Sequence, residues 1–119
     1  MSFDTAQAVT VQEINSDGVD LDSFNVAAAS TEFKVSLDAG VVELVIKTGA
    51  TASTPTLKAP TTEKYKDVFA LADKAFAQIP TTSEFALLLT SAHAYQDNFA
   101  YFTLDDNTNV ELRATKYSS

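Results

Sequence analysis

Two stretches of apolar–polar alternation constrain this chain more than anything else in it. In residues 31–47, Phe33, Val35 and Leu37 fall on one side, Asp38-Ala39-Gly40 supplies a turn, and Val42, Leu44 and Ile46 return on that side. A period of two is the spacing of a strand with one face in a core, and two such runs joined by a short Gly-containing turn predict a β-hairpin. Glu32, Lys34, Ser36, Glu43 and Lys47 occupy the opposite face, together with Val41 and Val45. Two valines on a polar face imply that another element or another subunit covers part of it.

The second stretch closes the chain. Ala100, Phe102 and Leu104 lead into Asp105-Asp106-Asn107-Thr108, and Val110, Leu112 and Ala114 come back on the same face, which again predicts a hairpin. Tyr101, Thr103, Glu111, Arg113, Thr115 and Tyr117 then lie outward. A third hairpin is expected at 8–28, where Val9 and Val11 alternate with polar neighbours and Asn15-Ser16-Asp17-Gly18 turns the chain before Val19 and Leu21.

Between these runs the pattern changes. Tyr65, Val68, Phe69, Ala72, Ala75, Phe76 and Ile79 recur at three- and four-residue intervals, which predicts an amphipathic helix over about 61–79, capped by Thr61 or Thr62 and stopped by Pro80. Residues 48–60, rich in Thr, Ser, Ala and Pro, are expected to be a crossing loop. Phe85 to Tyr95 fits either a strand or a second helix. The alternation of Phe85, Leu87 and Leu89 favours the strand, central in a sheet because it is apolar on both faces.

The expected fold is therefore α+β: a mostly antiparallel sheet of hairpins with one helix packed on it, in a single domain over 1–119. A chain of 119 residues with 45% hydrophobic residues, eight Phe and four Tyr can build a core without staples. It has no cysteine, so disulfides play no part.

Charge and length exclude several classes of activity. The net charge is −8 and the eight basic residues are dispersed, which disfavours direct binding to nucleic acid or to an anionic membrane surface. The longest apolar run, Phe85 to Leu89, is far short of the roughly 20 residues a spanning helix needs. The opening Met1-Ser2-Phe3-Asp4-Thr5 lacks the basic and apolar parts of a secretory signal.

Few residues suggest chemistry. His93, the one histidine, sits between Ser91 and Asp97, yet triads assemble from separate segments and no Gly-x-Ser-x-Gly motif occurs. Asp17, Asp20 and Asp22, with Glu13 and Asn15, gather oxygen ligands of the type calcium takes, but at a spacing unlike an EF-hand loop. Asp105 and Asp106 are what hairpin turns favour. Gly18, Gly40 and Gly49 are too far apart to form a phosphate-binding loop. No catalytic set, metal site or cofactor is expected.

What remains is a structural role. Abundant Thr, Ala, Ser and Asn with β-rich patterning points to a non-enzymatic assembly protein, such as a capsid decoration or cement subunit or a small tail component of a bacteriophage. Its expected partners are copies of itself and a larger assembly, and its expected location is a virion, or otherwise the cytoplasm in soluble form. Val41, Val45, Tyr101 and Tyr117 are the candidate interface, because outward apolar and tyrosine side chains are enriched where proteins meet. The alternative is a small acidic inhibitor whose Asp17, Asp20, Asp22 and Asp38 imitate nucleic-acid phosphates on a basic enzyme.

Overall fold

The alternating runs do form strands, but they pair differently from hairpins. The computed structural model describes residues 6–38, 40–58, 73–90, 93 and 97–117. Ten strands are described: β1 (Gln7–Val9), β2 (Val11–Ile14), β3 (Val26–Ala27), β4 (Glu32–Ser36), β5 (Val42–Lys47), β6 (Pro55–Leu57), β7 (Lys74–Ala75), β8 (Glu84–Leu89), β9 (Phe99–Leu104) and β10 (Glu111–Tyr117). They make two mixed sheets. Sheet I runs β1-β4-β9-β6-β7 and sheet II runs β2-β10-β5-β8, with β3 also on β10.

Each expected hairpin is instead an arch between sheets. β4 lies in sheet I beside β1 and β9, whereas β5 lies in sheet II between β10 and β8. Likewise β9 belongs to sheet I and β10 to sheet II. The inward residues of each pair therefore face one another across the core. Phe33, Val35 and Leu37 from one layer and Val42, Leu44 and Ile46 from the other are all buried in a single apolar cluster with Ala100, Phe102, Leu104, Leu112 and Ala114. Phe33 and Phe102 stack with ring centroids 5.0 Å apart. This is face-to-face packing of two sheets, and the crossing of successive strands from layer to layer is the winding of Greek-key and jelly-roll sandwiches.

The amino-terminal hairpin is also absent. β1 runs parallel to β4 at one edge of sheet I, and after Thr10 the same extended chain continues as β2, parallel to β10 in sheet II. The chain then leaves the sheet, turns at Asn15–Gly18, forms a 3₁₀ turn at Leu21–Phe24, and returns as β3 along Glu111 and Leu112. Since β5 occupies the other side of β10, β2 and β3 share one edge of that strand.

The expectation of an α+β fold is corrected to a mostly β one. Among the described residues no helix reaches seven residues. Most of the expected helix, 61–72, lies outside the described residues, but its last third is extended. Thr56 pairs with Ala75 and Leu57 with Lys74, the Phe76 N–H donates to the Pro55 carbonyl at 3.0 Å, and Ser53 and Ile79 exchange hydrogen bonds of 2.7 and 3.2 Å. Those pairings override the helix propensity of Lys and Ala. Phe76 still reaches the core, edge-on to Phe85 at 5.2 Å.

Two smaller expectations change as well. The 48–60 stretch is no simple loop, because it carries β6 between β9 and β7, with Thr48, Ser53, Pro55 and Leu57 buried. Pro55 opens that strand, the position where a missing N–H is tolerated. Residues 84–89 are a strand, in line with the alternation of Phe85, Leu87 and Leu89. However, β8 ends the described order of sheet II instead of lying inside it, and Leu88 is 58% exposed.

Candidate functional site

A described cleft lies where the amino-terminal strand changes sheets. Thr10 has no place in either ladder, so the chain bends there, and a cleft of about 390 Å³ opens between Thr10, Val11, Ser36, Asp38, Phe99 and Lys116. Its polar groups are mostly engaged. Asp38 accepts a hydrogen bond from the Asn98 amide at 2.5 Å, the Ser36 hydroxyl accepts the Asp38 N–H at 3.3 Å, and the Lys116 ammonium lies 4.0 Å from Glu13. The described lining holds no imidazole, thiol or carboxylate pair. As a chemical environment it suits an apolar chain segment more than a reacting centre.

His93 ends β8 structurally. Its Nδ1 accepts the Thr90 N–H at 3.0 Å while its own N–H donates to the Thr90 carbonyl at 2.9 Å, so the ring caps the strand. Partial burial lowers its pKa below the ordinary 6.5. Asp97 is engaged elsewhere: it accepts the Phe99 N–H at 3.0 Å and the Tyr101 hydroxyl. Ser91 lies outside the described residues.

The acidic residues singled out by sequence serve turns. Asn15 Oδ1 accepts the Asp17 N–H at 3.0 Å, Asp20 Oδ1 accepts the Asp22 N–H at 3.1 Å, and Gly18 adopts φ +85°, which closes the turn. Asp20 caps and Asp22 lies in a 3₁₀ turn, where the expected hairpin would have run as a strand. Asp17, Asp20 and Asp22 belong to one excursion and Asp38 to the β4–β5 arch. Among the described residues, no three His, Asp or Glu side chains converge as a metal site would require.

Asp105 and Asp106 bind backbone. Asp105 Oδ1 accepts the Thr54 N–H at 2.7 Å, and the buried Ser53 hydroxyl donates to the Asp106 carbonyl at 2.5 Å, so the β9–β10 arch is fastened to the chain entering β6. The Asp106 carboxylate accepts the Thr108 N–H at 2.8 Å, which holds its pKa below the usual 3.8. The sequence offered no sign of Ser53 as a partner, since the two segments are separated by half the chain.

The four candidate interface residues divide. Val41 is 55% exposed and immediately precedes β5. Val45 is buried on the outer face of sheet II, in register with Arg113, and Tyr101 is buried on the outer face of sheet I, so neither is an exposed interface residue. Tyr117 pairs through its backbone with Ile14, and its side chain lies outside the described residues. Sequence reasoning missed Leu88, an exposed leucine opposite Glu43 and so at the same end of the β5–β8 pair as Val41. Its neighbours Leu87 and Leu89 concealed it, because all three have the same side chain.

Arg113 is the other unforeseen feature. Its guanidinium is buried on the outer face of sheet II, donates to Asn25 Oδ1 at 3.1 Å and lies 3.6 Å from Glu84, while its Nε has no partner. The 15–25 excursion thus folds back to Arg113, which lies in register with Val45 on the outer face of sheet II. Comparison with protein families, with curated proteins and with solved structures gives no match.

Proposed function

We propose that this chain is a non-enzymatic assembly subunit that docks on a larger protein structure, with a bacteriophage virion, as a decoration, cement or small tail component, the setting its composition suits best. One observation carries the reading. Of the four described large apolar side chains that are exposed, Leu21, Val26, Val41 and Leu88, the two most exposed, Val41 and Leu88, lie at one end of the β5–β8 pair, on a molecule whose His93, Asp97, Asp105 and Asp106 are all engaged in holding the backbone. Contiguous exposed apolar surface marks sites of protein contact, and interface cores are more apolar than the rest of a surface. Among the described residues no helix is long and apolar enough to cross a membrane.

The decisive measurement is the mass of the native protein by light scattering over a range of concentrations, with Val41→Asp and Leu88→Asp beside the parent. Association that is lost in both variants, with unchanged thermal unfolding, supports the reading. A monomer at every concentration, with no retention on particles from its native source, overturns it.

A further inference from the structure

The segment 6–14 is attached unlike any other described part of the sandwich. It pairs with the edges of both sheets, Gln7 to Val9 along Phe33 to Val35 and Val11 to Ile14 along Ala114 to Tyr117, yet only Val9 among its side chains is fully buried. Backbone hydrogen bonds, buried Val9 with Val11 packed against the core, the Glu13–Lys116 pair and one amide hold it. The Gln7 side chain donates to the Ala27 carbonyl at 3.1 Å and accepts the Ala29 N–H at 2.7 Å. Both ladders are parallel, the slightly weaker pairing, and the cleft beside Thr10 shows that the segment leaves space under it.

Its described partners all lie later in the chain, across the 15–25 excursion. That excursion is mostly exposed, is held by short-range turn and cap bonds, and touches the sandwich at Asn25. Opened fully, 15–25 reaches roughly 36 Å at about 3.3 Å per residue, comparable to the molecule's intermediate dimension of 36 Å. The segment can therefore lie on a neighbour without disturbing its own sandwich.

We infer that residues 6–14 form an exchangeable strand: in the assembled state this segment of one copy lies along β4 and β10 of a second copy, in the same two parallel registers. Exchange replaces each contact by an identical one, so protein concentration and the opening of the 15–20 turn set the balance. The occupant is fixed by the seat itself, which is complementary to this segment through Val9, the two ladders and the Gln7 amide. The inference deepens the assembly reading by naming one joint between copies.

The absence of cysteine makes the test direct. Ala8 lies opposite Lys34 in the β1–β4 ladder, close enough for a disulfide when both positions carry cysteine. Ala8→Cys and Lys34→Cys are made singly, unfolded together, refolded at high concentration and oxidised mildly, and the double variant is treated alone at low concentration. The expected result is a mixed disulfide dimer, with one chain of each single variant, well above its random share, while the double variant closes within one chain when dilute. Gln7→Ala, which removes the same contacts from the closed and the exchanged forms, should leave the mixed share unchanged. Absence of the mixed bond overturns the exchange whether or not the double variant closes. If such a preparation still associates through Val41 and Leu88, the assembly reading stands without it; a monomer throughout overturns both.

Discussion

A β-carbon built on Gly49 would lie 2.9 Å from the Asn109 Cβ and 3.0 Å from its carbonyl oxygen. The chain leaving β5 and the arch entering β10 thus touch backbone to backbone, and Asn109 itself holds φ +56°. Gly49→Ala must push one of them aside. The expected cost is about 1–3 kcal/mol, the usual range for overpacking, read as a lower urea midpoint with an unchanged slope. Adding Asn109→Gly, which removes one of the two close atoms and suits the positive φ, should recover part of the loss.

The Ser53 hydroxyl should matter more than its exposed counterparts. It is buried and supplies a partner for the Asp106 carbonyl, so Ser53→Ala should cost about 1–3 kcal/mol, the cost of leaving a buried group unsatisfied. Ser16→Ala, at an exposed turn position, should change stability by less than about 0.5 kcal/mol. Chemical denaturation of the two variants in parallel gives the comparison.

Acid should weaken the fold in two steps. The lowered His93 pKa means that the unfolded chain binds its proton more readily, so the contribution is complete above about pH 6.5 and is lost as pH falls through the lower folded value. Protonation at Nδ1 would also sever the bond from Thr90. Asp106 has the same sign in a lower window: its contribution is present above about pH 3.8 and disappears as the carboxylate takes up a proton. His93→Gln should flatten the stability profile below about pH 6.5, and Asp106→Asn should flatten it below 3.8, as followed by unfolding at fixed denaturant.

Arg113 tests whether a buried charge stabilises this sandwich. Its Nε is unpaired and its closest carboxylate contact is long, at 3.6 Å to the exposed Glu84 side chain. Desolvation should therefore offset much of the Coulomb attraction, and Arg113→Met, which keeps the apolar stem, should be within about 1 kcal/mol of the parent or more stable. Arg113→Ala loses that packing and should be clearly worse. Thermal unfolding of the two variants separates packing from charge.

Phe33 and Phe102 join β4 and β9 at the centre of sheet I. Phe33→Ala should cost about 3–5 kcal/mol as a lost aromatic plus a cavity. Near-ultraviolet dichroism and the denaturation midpoint should shift together if the single apolar cluster unfolds as one unit.

The strands of 31–47, 84–89 and 100–117 were legible in the sequence; β6, β7 and the strand partners were not. Alternation at Phe33-Val35-Leu37 and Val42-Leu44-Ile46 states which side of each strand avoids water. It is identical whether the two strands lie side by side in a hairpin or face each other across a core. Asp38-Ala39-Gly40 and Asp105–Thr108 read as hairpin turns for that reason, although both lead from one sheet to the other. The helix pattern failed where it could be compared with structure, because the 73–79 stretch makes extended pairing with 53–57, a partner too distant for local spacing to reveal. The candidate site fared similarly. Val41 was found as an outward valine, but Val45 and Tyr101 had the same outward parity and proved covered, and parity alone cannot report what lies over a face.

The last described strand is the one for which its partners wait. β10 completes sheet II by receiving β2, β3 and β5, and except for β6 and β7, themselves far apart in sequence, no described strand is hydrogen-bonded to its successor along the chain. A polypeptide emerging from the ribosome would thus have no small finished piece to store, and sheet II stays open until synthesis passes Tyr117. Topologies ruled by distant pairings fold on the millisecond-to-second scale, so the newly made chain presents unpaired edges throughout its production, a period in which chaperone protection would count most.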